Sequence, residues 1–218
     1  MDRYEVINAL EEKGIIGVIR AREGEDIAGI INSLMEGGVK ALEITMTTPK
    51  AIDVIAKLSD EIPEDFIIGA GTVLDSETAR SVIYAGAKFI VSPVCKKEII
   101  ETAHRYDCAV FPGAFTPTEV LTAWENGADA VKIFPASRLG PKYLKDLRGP
   151  FPWIKLTPTG GIDLKNITEF IKNGASFVGV GTSLLNREYI KNRDWKSLTA
   201  IAKDFIEAVE MARKELNS

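Results

Sequence analysis

Apolar and polar residues follow a repeating order along this chain, in which a short apolar run precedes a longer segment with helical spacing. The runs have the length of buried strands, and the longer segments place apolar residues on one helical face. Strands are predicted at residues 15–19, 40–45, 66–70, 88–92, 109–111, 130–134, 154–157 and 176–180. Helices are predicted at 3–12, 25–36, 76–85, 96–106, 118–126, 141–147, 164–172 and 195–216, with one more opened by Pro49 and an irregular link at 186–194.

The alternation of strands and helices determines the predicted fold class. Eight strands that are each followed by a helix indicate an α/β protein with a parallel sheet and right-handed crossovers. Eight strands also close a (β/α)8 TIM barrel, and 218 residues lie at the compact end of that fold. A doubly wound sheet would carry a glycine-rich fingerprint after the first strand, and none follows residues 15–19. We therefore expect one barrel domain over residues 1–218, with the extra N-terminal helix capping its bottom.

Composition and charge narrow the possible partners. The net charge of −4 provides no basic footprint for a nucleic acid. No apolar run approaches the roughly 20 residues that a membrane span needs, and the acidic, amphipathic N-terminus does not resemble a signal peptide. Cys95 and Cys108 stand alone, which favours reduced thiols. The sequence thus predicts a cytoplasmic protein without nucleic-acid or membrane partners. With His104 as its one histidine, it also predicts no metal site or cofactor.

A single ionisable residue, Lys132, interrupts the apolar strand predicted at 130–134. Burial disfavours the charged form of a lysine and lowers its pKa. An amine that is partly neutral near pH 7 can attack a carbonyl group and form a Schiff base. The alternative is a lysine at the strand end whose ammonium reaches solvent.

The two-residue period of a strand places an acid opposite this amine. If Leu42 and Ile44 face the helices, Glu43 and Thr45 face the barrel interior. By the same argument Lys132 and Phe134 point inward, so an acid and an amine share the mouth of the barrel. A buried charge needs a partner, which leaves a purely structural ion pair between Glu43 and Lys132 as the alternative.

Glycine-rich segments follow the last two predicted strands. Gly160, Gly161 and Gly181 allow backbone N–H groups to approach an anion, and Thr182 and Ser183 add hydroxyl groups. A phosphate site after strands seven and eight recurs in TIM barrels. The spacing therefore favours phosphate binding, with tight turns alone as the alternative reading.

Six ordered segments carry a family resemblance, and they are Leu-Glu-Ile-Thr at 42–45, Ile-Gly-Ala-Gly-Thr-Val at 68–73, Val-Ser-Pro at 91–93, Val-Lys-Ile-Phe-Pro-Ala at 131–136, Gly-Pro-Phe-Pro at 149–152 and Thr-Pro-Thr-Gly-Gly at 157–161. Together they resemble the 2-keto-3-deoxy-6-phosphogluconate (KDPG)/4-hydroxy-2-oxoglutarate aldolase family. The resemblance runs from about Ile15 to the terminal helix. It implies a (β/α)8 class I aldolase that forms a homotrimer.

The resemblance also implies roles for individual residues. Lys132 would form the Schiff base and Glu43 would act as acid and base. The resemblance and the positions at the predicted strand ends together give the residues expected to bind substrate. These are Arg20, Thr45, Thr72, Pro93, Phe134, Thr159, Gly160, Gly161, Gly181 and Ser183. Among them, Thr72 and Pro93 would place the pyruvate moiety and Phe134 would pack against it.

One position departs from the family pattern. Many members have an arginine where this chain has Thr47, so Arg20 is the expected replacement for binding the substrate carboxylate. Thr159 in the Pro-Thr-Gly-Gly segment resembles the gluconate-type enzymes, whereas a valine there resembles the galactonate-type enzymes.

The resulting hypothesis is a metal-independent lyase that cleaves KDPG, a sugar-acid phosphate, to pyruvate and glyceraldehyde 3-phosphate. Cleavage of 4-hydroxy-2-oxoglutarate and the galactonate-type reaction are alternatives with the same lysine chemistry. More distant alternatives are a non-covalent isomerase or synthase, with Glu43 as base and Lys132 as a countercharge, and a sugar-phosphate-binding protein without activity.

Overall fold

The computed structural model describes residues 1–216, so the last two residues of the predicted domain lie outside the described part. The strands are β1 (Ile15–Ile19), β2 (Ala41–Thr45), β3 (Ile67–Gly71), β4 (Phe89–Val91), β5 (Ala109–Phe111), β6 (Gly113–Ala114), β7 (Val131–Ile133), β8 (Leu156–Pro158) and β9 (Val178–Val180). The helices are α1 (Arg3–Lys13), α2 (Ile27–Glu36), α3 (Ala51–Glu61), α4 (Ser76–Tyr84), α5 (Lys97–Arg105), α6 (Pro117–Glu125), α7 (Ala136–Leu139), α8 (Pro141–Arg148), α9 (Ile167–Lys172), α10 (Arg187–Asn192) and α11 (Trp195–Leu216).

The strands curl into a parallel barrel. One sheet has the order β5-β4-β3-β2-β1-β9, and the second has the order β6-β7-β8. β5 and β6 occupy one position of the barrel, because only Pro112 separates them and its carbonyl accepts a 2.9 Å hydrogen bond from the Lys132 N–H. The second junction is closed by a parallel bridge between Thr159 and Gly179. Eight strand positions result, and the predicted (β/α)8 barrel is confirmed.

Apolar residues fill both faces of the barrel wall. Leu42 and Ile44 pack among the helices outside, whereas Ala41 belongs to the inner cluster. Three aromatic rings dominate that inner cluster, with 5.5 Å between the ring centroids of Phe89 and Phe111 and 5.4 Å between those of Phe111 and Phe177. The predicted N-terminal helix is present as α1, and three of its side chains close the inner cluster from below, namely Val6, Ile7 and Leu10.

Two short helices depart from the predicted pattern. The link predicted to be irregular at 186–194 contains α10, whose first backbone N–H groups donate to the Asn186 side chain. Helix α7 begins three residues after the end of β7 and was not predicted. Both are too short to display a helical apolar period, which is why the sequence pattern did not reveal them. Within residues 1–216, none of the helices has the length and apolar character needed to span a membrane.

Candidate active site

A cavity of about 600 Å³ opens at the carboxyl ends of the barrel strands. All of the site residues predicted from the sequence line it except Thr45. The lining residues are Val18, Arg20, Glu43, Thr72, Pro93, Lys132, Phe134, Thr159, Gly160, Gly161, Ile162, Asp163, Gly181, Thr182, Ser183, Leu185 and Arg187. The structure thus brings together groups that are distant in sequence, while their roles stay predictions.

Lys132 and Glu43 project from β7 and β2 into the bottom of this cavity. The exposed fraction is 5% for Lys132 and 2% for Glu43. Burial lowers the pKa of the Lys132 amine, partly opposed by the negative charge of Glu43, and the positive charge of Arg20 lowers it further. Burial raises the pKa of the Glu43 carboxyl, partly opposed by the charges of Lys132 and Arg20. Both groups are therefore shifted toward their neutral forms.

The arrangement differs from both structural alternatives considered for this pair. The Lys132 amine does not reach bulk solvent but lies 4.9 Å from the centroid of the Phe134 ring. Among the contacts of residues 1–216, no direct ion pair joins Lys132 to Glu43, although each charge shifts the pKa of the other group. A buried amine and a nearby carboxyl that are not locked together can exchange protons with a molecule bound between them.

Gly71 at the end of β3 makes room for the carboxyl group. A Cβ atom on Gly71 would lie 1.8 Å from Oε1 of Glu43, far inside any real contact distance. Because β2 and β3 pair with Thr45 opposite Gly71, the missing side chain creates the space that the Glu43 carboxyl occupies. The Gly-Ala-Gly segment therefore positions the acid, a role that the sequence motif alone did not reveal.

The glycine-rich end of the cavity has the backbone geometry of an anion site. Gly160 and Gly161 have φ angles of +91° and +78°, which side-chain-bearing residues rarely adopt. In the described part of the chain, the backbone N–H groups of Gly161, Thr182 and Ser183 have no protein acceptor. The Ser183 hydroxyl donates to the Ile162 carbonyl, so its own proton is engaged and the backbone supplies the free donors here.

Thr45 is the predicted site residue that the structure does not bring to the cavity. Its hydroxyl is buried and donates to the Ile19 carbonyl at 3.1 Å, and its oxygen lies 2.9 Å from the Thr47 hydroxyl. These contacts hold the β2 end against β1 rather than presenting a hydroxyl to a bound molecule. The alternation along β2 predicted that Thr45 faces inward, but it did not indicate how far the cavity extends along the strand.

Sequence reasoning missed two charged residues of the cavity wall, Asp163 and Arg187. Asp163 lies two residues after Gly161, and Arg187 lies four residues after Ser183. The available signal was their position, because loops after barrel strands line the functional face. Within residues 1–216, no group of three or more His, Cys, Asp or Glu side chains is arranged to hold a metal ion.

A family model described as KDPG and KHG aldolase matches residues 6–201 of the chain. The chain belongs to this family. It is 34% identical over 197 residues to the 2-dehydro-3-deoxy-phosphogluconate aldolase of Pseudomonas aeruginosa, covering 90% of this chain and 89% of the relative. It is 32% identical to the 2-dehydro-3-deoxy-6-phosphogalactonate aldolase of Escherichia coli, covering 90% and 96%.

The solved structures of KDPG aldolases have the same fold. One from Legionella pneumophila, with pyruvate captured at low pH as a covalent carbinolamine intermediate, superimposes with a TM-score of 0.83. It shares 32% sequence identity, and the match covers 90% of this chain and 96% of that one.

Proposed function

We propose that this KDPG/KHG aldolase family member cleaves KDPG to pyruvate and glyceraldehyde 3-phosphate through a Schiff base on Lys132. The observation that carries the proposal is the buried Lys132 amine, whose pKa is lowered beside the buried Glu43 at the bottom of a cavity. A lowered pKa increases the neutral fraction of the amine, and the neutral form is the one that can act as a nucleophile. The carbinolamine captured in the related Legionella enzyme supports the same covalent chemistry here.

The first half of the reaction builds an electron sink. The lone pair of Lys132 Nζ attacks the C2 ketone of the sugar acid, and the resulting carbinolamine loses water to form an iminium ion. Glu43 supplies and removes the protons of this step, directly or through a water molecule. Its raised pKa suits that exchange, because a carboxyl group with a higher pKa is more often protonated near neutral pH.

The second half breaks the carbon–carbon bond. Glu43 removes the proton of the C4 hydroxyl, and the C3–C4 bonding electrons move into the iminium ion. Glyceraldehyde 3-phosphate leaves, and the enamine of pyruvate remains on Lys132. Protonation at C3 and attack by water then release pyruvate and restore the free amine.

The walls of the cavity orient the substrate. The backbone N–H groups around Gly161 and Ser183 suit the phosphate group, at a distance from the reacting bond. Arg20 is the proposed partner of the carboxylate, since Thr47 is exposed and uncharged. The relatives include both gluconate-type and galactonate-type enzymes, and Thr159 on the cavity wall favours the gluconate-type substrate.

We further propose that the chain forms one domain, assembles as a homotrimer and acts in the cytoplasm without a nucleic-acid or membrane partner. These proposals rest on the family resemblance and the net charge of −4.

Trapping with pyruvate tests the proposed chemistry. The protein is incubated with pyruvate and sodium borohydride and then analysed by mass spectrometry and peptide mapping. The expected result is the mass gain of one reduced pyruvate on the Lys132 peptide, because borohydride converts an iminium ion into a stable amine. A folded protein without this adduct would refute the covalent mechanism. Relative rates on KDPG, its galactonate epimer and 4-hydroxy-2-oxoglutarate then identify the substrate.

Replacing Arg20 with glutamine is expected to shift the pH dependence of adduct formation to higher pH. The positive charge of Arg20 lowers the pKa of both Lys132 and Glu43, so its removal raises both values. A higher pKa of Lys132 leaves less neutral amine at a given pH, and the ascending limb of the profile moves toward alkaline pH. The measurement is the rate of borohydride-trapped adduct at saturating pyruvate from pH 5 to 9.

Arg22→Gln is the matched control, because it removes an exposed arginine from the same loop without touching the cavity. An Arg20→Gln profile that coincides with that of Arg22→Gln would contradict the assigned influence of Arg20.

A further inference from the structure

Arg187 is a charged residue of the cavity wall with no role in the reaction described so far. It is the first residue of α10 and lines the cavity together with Gly181, Thr182 and Ser183. Its side chain is about one-third exposed, so it lies at the mouth rather than at the bottom.

The guanidinium group is held in place by two partners behind it. Nη1 donates to both carboxylate oxygens of Glu25, at 2.9 and 3.0 Å, and Nη2 donates to the Arg20 carbonyl at 2.9 Å. Glu25 is fixed in turn, because its Oε2 accepts a 2.8 Å hydrogen bond from the Arg22 N–H. Arg187 therefore joins the loop after β1 to the loop after β9 in a defined orientation.

These contacts leave part of the guanidinium free. The group has five N–H donors in a rigid plane. Nη1 donates to the Glu25 carboxylate and one N–H of Nη2 donates to the Arg20 carbonyl, so within residues 1–216 the Nε–H and the second Nη2–H have no protein acceptor. Two adjacent free donors on one edge of a guanidinium match two oxygens of a phosphate group.

The location of Arg187 assigns it to the far end of the substrate. Arg20 is the cation whose charge acts on Lys132 and Glu43, whereas Arg187 shifts the pKa of neither. Arg187 instead lines the same cavity as residues 181–183 and follows them closely in the chain, and this segment carries free backbone N–H groups. Asp163 adds a negative charge to the same cavity, so a phosphate bound there needs a compensating cation.

We propose that Arg187 binds the phosphate group of the substrate and makes the enzyme selective for phosphorylated over unphosphorylated sugar acids. The proposal rests on the proposed function, and it adds a side-chain cation to the backbone donors of the phosphate end. Glu25 is a positioning residue in this scheme, since it orients Arg187 without lining the cavity.

Binding of glycerol 3-phosphate, measured by isothermal titration calorimetry, tests the proposal without requiring the covalent reaction. The Arg187→Gln variant is expected to bind this phosphate monoester about 10- to 100-fold more weakly than the wild type. In turnover assays, kcat/KM should fall by a similar factor for KDPG and remain within about threefold for unphosphorylated 2-keto-3-deoxygluconate.

Two further variants separate charge from structure. Arg22→Gln removes a neighbouring positive charge outside the cavity, and glycerol 3-phosphate affinity should stay within about twofold of the wild type. Glu25→Gln keeps an oxygen acceptor that can orient Arg187, so any loss of glycerol 3-phosphate affinity should be smaller than in Arg187→Gln. An Arg187→Gln variant that binds glycerol 3-phosphate as tightly as Arg22→Gln would overturn the proposal.

Pyruvate trapping separates this proposal from the aldolase mechanism. Arg187→Gln should still form the reduced pyruvate adduct on Lys132, which also shows that the variant is folded. If the wild type forms the adduct but binds glycerol 3-phosphate no better than Arg187→Gln, the Arg187 proposal is wrong and the aldolase mechanism stands. If the wild type forms no adduct, the aldolase mechanism is wrong, while weaker binding by Arg187→Gln still supports the phosphate site.

Discussion

Lys132→Met is expected to lower kcat for KDPG cleavage by about 10⁴-fold or more, because losing a covalent nucleophile removes the whole reaction path. Methionine has a similar length and no amine, so the cavity keeps its shape while the Schiff base cannot form. The measurement is the release of pyruvate, followed with a coupled lactate dehydrogenase assay.

The same variant should not lose stability. The lowered pKa of Lys132 means that the folded state disfavours its ammonium form, a cost that is present below the pKa of the unfolded chain and disappears at alkaline pH. Methionine avoids this cost, so the melting temperature near pH 7 is expected to remain or rise. Lys142→Met, on the exposed face of α8, is the control with normal turnover. Turnover by folded Lys132→Met at the wild-type rate would refute the mechanism.

Glu43→Gln is expected to lower kcat by roughly 10²- to 10⁴-fold, the usual contribution of a positioned acid–base group. Glutamine keeps the size of the side chain within the space left by Gly71 but can no longer exchange protons. The sharpest measurement is the exchange of the pyruvate methyl protons with deuterated water, followed by NMR, because it requires only enamine formation on Lys132.

The expected outcome for Glu43→Gln is slow exchange with a reduced but detectable borohydride adduct. Glu101→Gln, the same chemical change on the exposed face of α5, should exchange at the wild-type rate. Exchange at the wild-type rate in Glu43→Gln would assign the proton transfers to another group.

Local patterns predicted the elements that build the barrel and the reacting pair. The apolar runs have the length of strands, and the two-residue period correctly placed Leu42 and Ile44 on the side of the helices. The same period predicted that Glu43 and Lys132 face one cavity, because the orientation of each side chain depends only on the alternation within its own strand. Such features depend on neighbours in sequence, and a sequence reading can therefore find them.

Features that depend on contacts between distant segments were not predictable. β5 and β6 form one barrel position that is divided at Pro112, and a Cβ on Gly113 would lie 2.3 Å from the Pro93 carbonyl oxygen. The space beside Glu43 depends on the absence of a side chain on another strand. Arg187 and Glu25 are 162 positions apart, and their ion pair appears only when β1 and β9 are neighbours.

The aromatic cluster inside the barrel has a kinetic consequence. Ala41 and Ala130 lie two residues before Glu43 and Lys132 on the same inner face, and they pack with Phe89, Phe111 and Phe177 into an apolar floor of the cavity. A molecule bound to Lys132 can then leave only toward the open end of the cavity, past the group that occupies the proposed phosphate site. In the proposed reaction the enamine holds pyruvate on Lys132 until the aldehyde has departed, and in the reverse direction pyruvate must bind first. The packing of three phenyl rings thus confines the entry and the release of both molecules to the one open end of the cavity.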